Sequence, residues 1–150
     1  MLNRDFKEFV GLLNDGGVEY LVVGGYALAV HGRPRYTGDL DLWVDNDPAN
    51  IARLLAALDA FGFASLGLKA ADFAPPDAVV QLGYAPGRID LLTGIDGVTF
   101  GPCFARKQTV SLGGVALPVI HIDDFKANKL AAGRPQDIAD LASLEPPFSA

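Results

Sequence analysis

Hydrophobic positions in the first half of the chain change between helical and strand-like spacing. Apolar residues first recur at helical intervals, and Gly16 and Gly17 then supply the stop expected after a helix. A β-branched and aromatic run follows between glycines, and a later run alternates aspartate with apolar residues, as expected of a strand with two unlike faces. These patterns predict a helix over 3–15, a buried strand over 18–23, a short helix over 26–31, a strand over 39–44 and a helix that starts at Pro48 and ends before Phe61-Gly62.

Turn residues divide the second half of the chain into two hairpins and two helices. Ala85-Pro86-Gly87 and Gly113-Gly114 are turn sequences with strand-like runs on both sides. No period persists over 62–78, which we predict to be irregular with one strand at most. The predicted strands are 79–84, 88–92, 107–112 and 115–120. The predicted helices are one capped by Asp123 or Asp124 and ending at 132, and one from Pro135 with Ile138, Leu141 and Leu144 facing inward.

Composition limits the classes of protein that this pattern can form. The chain has 150 residues, of which 50% are hydrophobic and 20% charged, so we expect a single domain over 1–150 and exclude a disordered chain. Its only cysteine, Cys103, excludes an internal disulfide and a cysteine zinc cluster. The apolar runs are too short to span a bilayer, and charges near the N-terminus argue against a signal peptide. We expect a cytoplasmic protein that makes no membrane contact.

The charge balance argues against one mode of ligand binding. Twelve Lys and Arg residues against eighteen Asp and Glu residues give a net charge of −6. This is the wrong sign for a broad surface that neutralises nucleic-acid phosphates, so an anionic ligand must be held locally. Four of the acids, Asp39, Asp41, Asp45 and Asp47, fall within nine residues.

Asp39 and Asp41 are the strongest candidates for chemistry. Residues two apart on a strand share a face and lie roughly 6.6 Å apart, so both carboxylates point the same way while Leu40, Leu42 and Val44 point into the core. Carboxylates held close together favour a hard cation such as Mg²⁺ or Mn²⁺. The alternative is a solvated strand face that happens to carry two acids. An EF-hand loop is excluded because apolar residues intervene and its glycine is missing.

Two further segments carry candidate residues. Gly24 and Gly25 lie between a strand and a helix, where glycine lets peptide N–H groups approach a phosphate, although such turns also use glycine for geometry alone. Arg88 and Asp90 share one face of a predicted strand, so Asp90 can be a third carboxylate. Alternatively, the two residues form a surface pair of little energetic value.

In this order and spacing, the three segments resemble the nucleotidyltransferase superfamily that includes DNA polymerase beta. Residues 22–41 (VVGGYALAVHGRPRYTGDLD) are similar to the first motif of the minimal bacterial nucleotidyltransferases, among them members of toxin–antitoxin and abortive-infection systems. Residues 124–141 (DFKANKLAAGRPQDIADL) are similar to their terminal motif. The resemblance implies an α+β fold, with a mixed, mainly antiparallel sheet flanked by helices and arranged like the nucleotidyltransferase palm.

The resemblance also implies roles for individual residues. Asp39, Asp41 and Asp90 would be catalytic and hold Mg²⁺ or Mn²⁺, with Asp90 assisting deprotonation of the acceptor. Six residues would bind nucleotide, and they are Gly24, Gly25, Arg35, Thr37, Lys129 and Arg134. Gly25 stands where better-studied transferases usually carry a serine, so one phosphate-binding hydroxyl is missing.

These roles predict a metal-dependent enzyme that transfers NMP from an NTP, with ATP as one candidate. The acceptor would be a hydroxyl or phosphate of an RNA end, a protein side chain or a small molecule, and a cognate toxin or antitoxin would be a further partner. The alternative is a non-catalytic, antitoxin-like module that binds nucleotide or a partner protein on the same fold.

Overall fold

Six strands form one sheet within residues 2–32, 38–84 and 87–144, which are the residues that the computed structural model describes. They are β1 (Tyr20–Val23), β2 (Leu40–Val44), β3 (Val79–Leu82), β4 (Ile89–Leu92), β5 (Gln108–Leu112) and β6 (Val115–Val119). Their order across the sheet is β3-β4-β2-β1-β6-β5. The pairs β1–β2, β3–β4 and β5–β6 are antiparallel, whereas β2–β4 and β1–β6 are parallel. The predicted α+β fold with a mixed, mainly antiparallel sheet is confirmed.

Helices flank this sheet. They are α1 (Arg4–Asp15), α2 (Gly24–Val30), α3 (Pro48–Phe61), α4 (Phe100–Ala105), α5 (Ile122–Ala132) and α6 (Pro135–Leu144). Two short 3₁₀ helices, Ala64–Leu66 and Ala70–Phe73, follow α3. None of the helices in the described ranges is both long and apolar enough to cross a bilayer.

Side chains of the neighbouring residues fix the ends of α1 and α3. Asn3 Oδ1 accepts the peptide N–H of Phe6 at 2.8 Å, and Asp47 Oδ2 accepts that of Ala49 at 3.2 Å. Each bond satisfies one of the donors that a helix N-terminus leaves unpaired. At the other end of α3, Gly62 adopts a φ of 104°, a left-handed conformation that glycine permits. These ends match the sequence prediction closely.

The core lies between the sheet and the paired helices α1 and α3. The rings of Phe9 on α1 and Phe61 on α3 meet edge to face, with centroids 5.2 Å apart. From the sheet, Leu40, Leu42 and Val44 are completely buried, which confirms the inward face predicted for β2. Because this strand lies inside the sheet and packs on both neighbours, it is a rigid support for polar side chains on its other face.

Some elements are absent from the sequence prediction or begin elsewhere. Residues 62–78, predicted to be irregular with one strand at most, contain two short 3₁₀ helices and no strand, and α4 has no counterpart among the predicted elements. The short second helix begins at Gly24 rather than at 26, so both glycines belong to its first turn. Glycine has low helix propensity, and tertiary packing overrides it here.

The C-terminal helices also differ from the prediction. His121, and neither Asp123 nor Asp124, caps α5, because its Nδ1 accepts the Asp123 peptide N–H at 3.1 Å. On α6, Ile138 is 48% exposed, whereas Asp137 and Asp140 are buried. The acids face inward because the buried ammonium group of Lys129 on α5 lies beside both of them.

Candidate active site

Two neighbouring strands bring Asp41 and Asp90 side by side. β2 and β4 run parallel, and their register pairs Asp41 with Asp90. Residues paired across neighbouring strands point to the same face of a sheet. Asp39 directly precedes β2 and, two residues from Asp41, belongs to that face as well. The structure therefore brings together the three carboxylates for which the sequence predicts a metal site.

Arg88, the residue before β4, contacts both Asp39 and Asp90. Its Nε donates to Asp90 Oδ1 at 2.8 Å, and its Nη2 donates to Asp90 Oδ2 at 3.2 Å. The same Nη2 lies 3.4 Å from Asp39 Oδ2, and the Arg88 peptide N–H donates to Asp39 Oδ1 at 3.1 Å. Asp90 is only 8% exposed, so this pair is more than the weak surface contact that the sequence leaves open.

The surroundings of Asp41 disfavour the ionised form of its carboxyl. Burial raises the pKa of its carboxyl to about 7, and the charge of Asp90, a hydrogen bond to Asp90 and the charge of Asp39 act in the same direction. The positive charge of Lys129 opposes them. A cation placed beside such a carboxyl stabilises its ionised form and lowers its pKa.

Gly24 allows the backbone to approach Asp41 closely. Its φ is +67°, in the left-handed region that L side chains rarely adopt. A Cβ atom at this position would collide with Oδ2 of Asp41. Gly24 is thus required by the geometry of the carboxylate cluster itself. Gly25, the second residue of α2, has no positive φ and does not line the cleft described next.

A cleft of about 440 Å³ opens beside Asp41. Gly24 and Asp41 form one wall, and Lys129 and Arg134 of the α5–α6 region line it as well. The other lining residues are Val23, Val79, Leu92, Gly94, Ile95, Asp96, Asn128 and Ala132. Four of the residues named from the sequence, Gly24, Asp41, Lys129 and Arg134, therefore face one space. Arg35 and Thr37 lie outside the described residues.

Lys129 is the buried cation between α5 and α6. Its Nζ donates to Asp137 Oδ1 at 3.2 Å and lies 3.4 Å from Asp140 Oδ2. Arg134 donates through Nε to Asp137 Oδ2 at 2.7 Å, and its side chain is 73% exposed. The bonds from Arg134, together with those from Lys129, lower the pKa of Asp137 to about 2. The charges of the two cations and the two acids thus cancel. Arg134 is the more accessible of the two cations that line the cleft.

Three positions differ from what the sequence alone indicates. Asp96 and Asn128 line the cleft, and Asn128 Nδ2 donates to the Asp96 carbonyl at 2.9 Å. Asn128 belongs to the terminal motif over 124–141, so the family resemblance includes it, whereas no sequence pattern indicates Asp96. Trp43 shares the acidic face of β2 yet is only 1% exposed, because its ring packs edge to face on Phe100 at 5.2 Å. Trp43 therefore does not line the cleft.

The donor chemistry of the cluster fits a divalent cation. Asp41 and Asp90 on paired strands and Asp39 just before β2 offer the oxygen ligands that Mg²⁺ and Mn²⁺ prefer, and burial, followed by the charges of Asp90 and Asp39, raises the pKa of Asp41. No three Asp, Glu, His or Cys side chains in the described ranges are already arranged as a coordination group. Arg88 holds two of the three carboxylates instead.

Family comparison agrees with this geometry. Residues 2–146 match the family described as nucleotidyl transferase of unknown function (DUF2204). The chain belongs to this family. Since the match covers both the carboxylate strands and the α5–α6 region, the site lies within the part that defines membership. A search of curated proteins finds no match to the chain.

Solved nucleotidyltransferase structures share the fold. TM1012 from Thermotoga maritima, provisionally assigned as a nucleotidyltransferase, has a TM-score of 0.62 and 16% identity, over 93% of this chain and 89% of that chain. The lincosamide adenylyltransferase LnuA, solved with lincomycin, has a TM-score of 0.54 and 12% identity, over 96% of each chain. ANT(2")-Ia, solved with adenylyl-2"-tobramycin, has a TM-score of 0.54 and 11% identity, over 93% of this chain and 84% of that chain. At these identities the likeness concerns the fold.

Proposed function

We propose that this family member is an active, metal-dependent nucleotidyltransferase, carried by a single domain over 1–150, that transfers NMP from an NTP to a hydroxyl or phosphate acceptor. The observation that carries the proposal is the convergence of Asp39, Asp41 and Asp90, of which Asp41 lines a cleft together with Lys129 and Arg134. A cleft lined by both a carboxylate and cations suits a triphosphate, whose transfer needs both metal ligands and phosphate partners.

The reaction replaces one bond to the α-phosphorus by another. The acceptor oxygen forms a bond to that phosphorus, the bond to the bridging oxygen breaks, and pyrophosphate leaves with the electron pair. Asp90 receives the proton of an acceptor hydroxyl. Asp39, Asp41 and Asp90 would hold Mg²⁺ or Mn²⁺, which would neutralise the negative charge that develops in the reaction.

Residues of the cleft would bind the nucleotide mainly through its phosphates. Arg134 is exposed enough to form a charge-assisted bond to a phosphate oxygen. Lys129 is held by Asp137 and Asp140, so it contributes positive potential from a fixed position. Gly24 leaves the cleft wall free of a side chain, and Gly25, Arg35 and Thr37 remain candidates from the family resemblance.

The nature of the acceptor is a separate question. LnuA was solved with lincomycin and ANT(2")-Ia with adenylyl-2"-tobramycin, which makes a small-molecule hydroxyl one candidate for this chain. An RNA end and a protein side chain suit the same chemistry. The cytoplasmic location, ATP as donor and a cognate toxin or antitoxin partner stay predictions from the sequence.

Label transfer from α-labelled NTPs tests the function directly. We expect one class of molecule to become labelled when purified protein is incubated with each α-labelled NTP in turn, Mg²⁺ or Mn²⁺ and a cell lysate. With γ-labelled NTP, only the released pyrophosphate should carry the label. Asp41→Asn should lose this transfer. Asp45→Asn is its matched control, because it removes the same charge four residues away and should keep transfer. Metal and nucleotide binding without transfer from any NTP would contradict the proposal and favour the non-catalytic module.

Arg134→Ala should weaken nucleotide binding without selecting a base. We expect the Kd for ATP and for GTP to rise by a similar factor of about 10, which corresponds to the loss of one charge-assisted hydrogen bond. The change removes two side-chain bonds to the buried Asp137, which keeps Lys129 Nζ and the Arg134 peptide N–H as partners, so we expect a folded protein with a lower melting temperature. Calorimetric titration with non-hydrolysable ATP and GTP analogues measures both affinities, with Lys107→Ala as the control. Loss of affinity for one nucleotide alone would exclude the phosphate role.

A further inference from the structure

Arg88 lies where a bound cation is expected. Its guanidinium bridges Asp90 and Asp39, with Nε 2.8 Å from Asp90 Oδ1 and Nη2 3.4 Å from Asp39 Oδ2. The side chain is 29% exposed, so it reaches the acids from the solvent side rather than from within the core. A planar guanidinium has the geometry to pair two carboxylates at once and stays charged at all physiological pH values.

The polypeptide holds Asp39 in place independently of this side chain. The Arg88 peptide N–H donates to Asp39 Oδ1, and the peptide N–H of Leu40 donates to the Arg88 carbonyl at 2.9 Å. These bonds fix the start of β4 to the start of β2. The guanidinium can therefore leave the carboxylates while their backbones keep the same register.

A second hollow gives the guanidinium somewhere to go. Arg88 lines an opening of about 520 Å³ together with Phe63, Leu66, Gln81, Gly83 and Tyr84. This hollow shares no lining residue with the nucleotide cleft beside Asp41. Tyr84 is 91% exposed and Leu66 is 53% exposed, so the opening faces solvent. A displaced guanidinium would thus be rehydrated rather than buried without a partner.

We propose that Arg88 is the internal counter-ion of the carboxylate cluster and that it competes with a divalent cation for Asp39 and Asp90. The proposal rests on the proposed function in one respect, the identity of the metal ligands. Without metal, Arg88 neutralises two carboxylates and limits their mutual repulsion. When the cation binds, the guanidinium moves out toward the second hollow. Arg88 therefore acts as a competitor of the metal and sets the concentration of divalent cation at which the site is occupied.

Competition predicts that removing the guanidinium tightens metal binding. Arg88→Gln should bind Mn²⁺ about tenfold more tightly than wild type, because the cation no longer displaces a charge-assisted pair. Arg88→Lys keeps the charge but cannot bridge both carboxylates, so its affinity should be intermediate. Lys7→Gln removes an equal charge from α1, beside the β5–β6 turn, and should leave the affinity within about twofold of wild type.

The experiment is calorimetric Mn²⁺ titration of the four full-length proteins, without nucleotide, followed by thermal melting with EDTA and with Mn²⁺. Arg88→Gln should also show the largest Mn²⁺-induced rise in melting temperature, which confirms that a folded protein binds the ion. Equal or weaker Mn²⁺ binding by Arg88→Gln would overturn the proposal.

The outcomes separate this proposal from the proposed function. Label transfer by wild type together with unchanged affinity in Arg88→Gln would leave the function intact and refute the competition. Tighter binding by Arg88→Gln without label transfer from any NTP would support the competition and refute the enzyme. Absence of Mn²⁺ binding to wild type and to Arg88→Gln would refute both.

Discussion

Asp41→Asn should melt at a higher temperature than wild type in EDTA at pH 8, and it should lose label transfer by about 10²- to 10³-fold. The stability gain follows from the raised pKa of Asp41, since the native state must ionise a carboxyl that burial and two neighbouring acids disfavour. Asparagine has nearly the same shape and carries no charge. We expect a gain of about 1 to 2 kcal/mol, or roughly 3 to 6 °C.

The pH dependence of stability provides a second measurement of the same effect. The pKa of Asp41 is about 7 in the folded protein and about 3.9 in an unfolded chain, so the folded state binds more protons between these values. Stability therefore falls as the pH rises from 4 to 7. This component of the slope should vanish in Asp41→Asn, which thermal melts at several pH values can test.

Asp39→Asn is the matched control for Asp41→Asn. The charge of Asp39 is compensated by the Arg88 guanidinium, and Asp39 accepts the Arg88 peptide N–H, so neutralising it should bring no stability gain.

Saturating Mg²⁺ should reverse the order of the melting temperatures of wild type and Asp41→Asn, because only wild type is stabilised by the bound ion. A lower melting temperature for Asp41→Asn in EDTA would mean that Asp41 is an ordinary structural residue.

Lys129→Met should destabilise the protein more than any other change considered, by about 3 to 5 kcal/mol. The substitution keeps the apolar stem but removes the cation that lies beside Asp140 and one of the four hydrogen bonds to the Asp137 carboxylate. Both acids are almost completely buried, so the loss of a compensating cation is costly. Thermal melting should show a decrease of about 10 °C or more.

Two further variants separate charge compensation from packing. Lys126→Met makes the same substitution on α5, and Lys126 forms no ion pair with any residue of the described ranges, so a change within about 2 °C is expected. Lys129→Met combined with Asp140→Asn removes one charge of each sign and leaves the Arg134–Asp137 pair. This double variant should recover part of the loss. Equal destabilisation of the single and double variants would argue against a charge effect.

Local patterns in the sequence predict the strands of the site, whereas only the family resemblance implies that Asp90 joins Asp39 and Asp41. Alternation of aspartate and leucine indicates the two faces of β2, because burial repeats with the period of the strand. The parallel register of Asp41 and Asp90 depends on a pairing across about fifty residues, for which local periodicity carries no information. The contact of Arg88 with Asp39 follows from that register, which explains why the sequence indicates only a pair with Asp90.

The C-terminal region shows a second limit of local patterns. Apolar periodicity on α6 predicts Ile138 inward, yet the helix turns Asp137 and Asp140 inward and leaves Ile138 exposed. The reason is the buried ammonium group of Lys129 on α5, which needs acids beside it. A hydrophobic pattern counts only apolar groups, so it cannot detect a core position that is occupied by a compensated ion network.

The parallel pairing of β2 with β4 also bears on the order in which the chain folds. The hairpins β3–β4 and β5–β6 join neighbouring segments and have little loop-closure entropy to overcome. The β2–β4 ladder closes a longer loop that contains α3 and both 3₁₀ helices, so we expect it to form after the hairpins. A nascent chain whose β4 has not yet been synthesised lacks Asp90 and cannot assemble the three carboxylates.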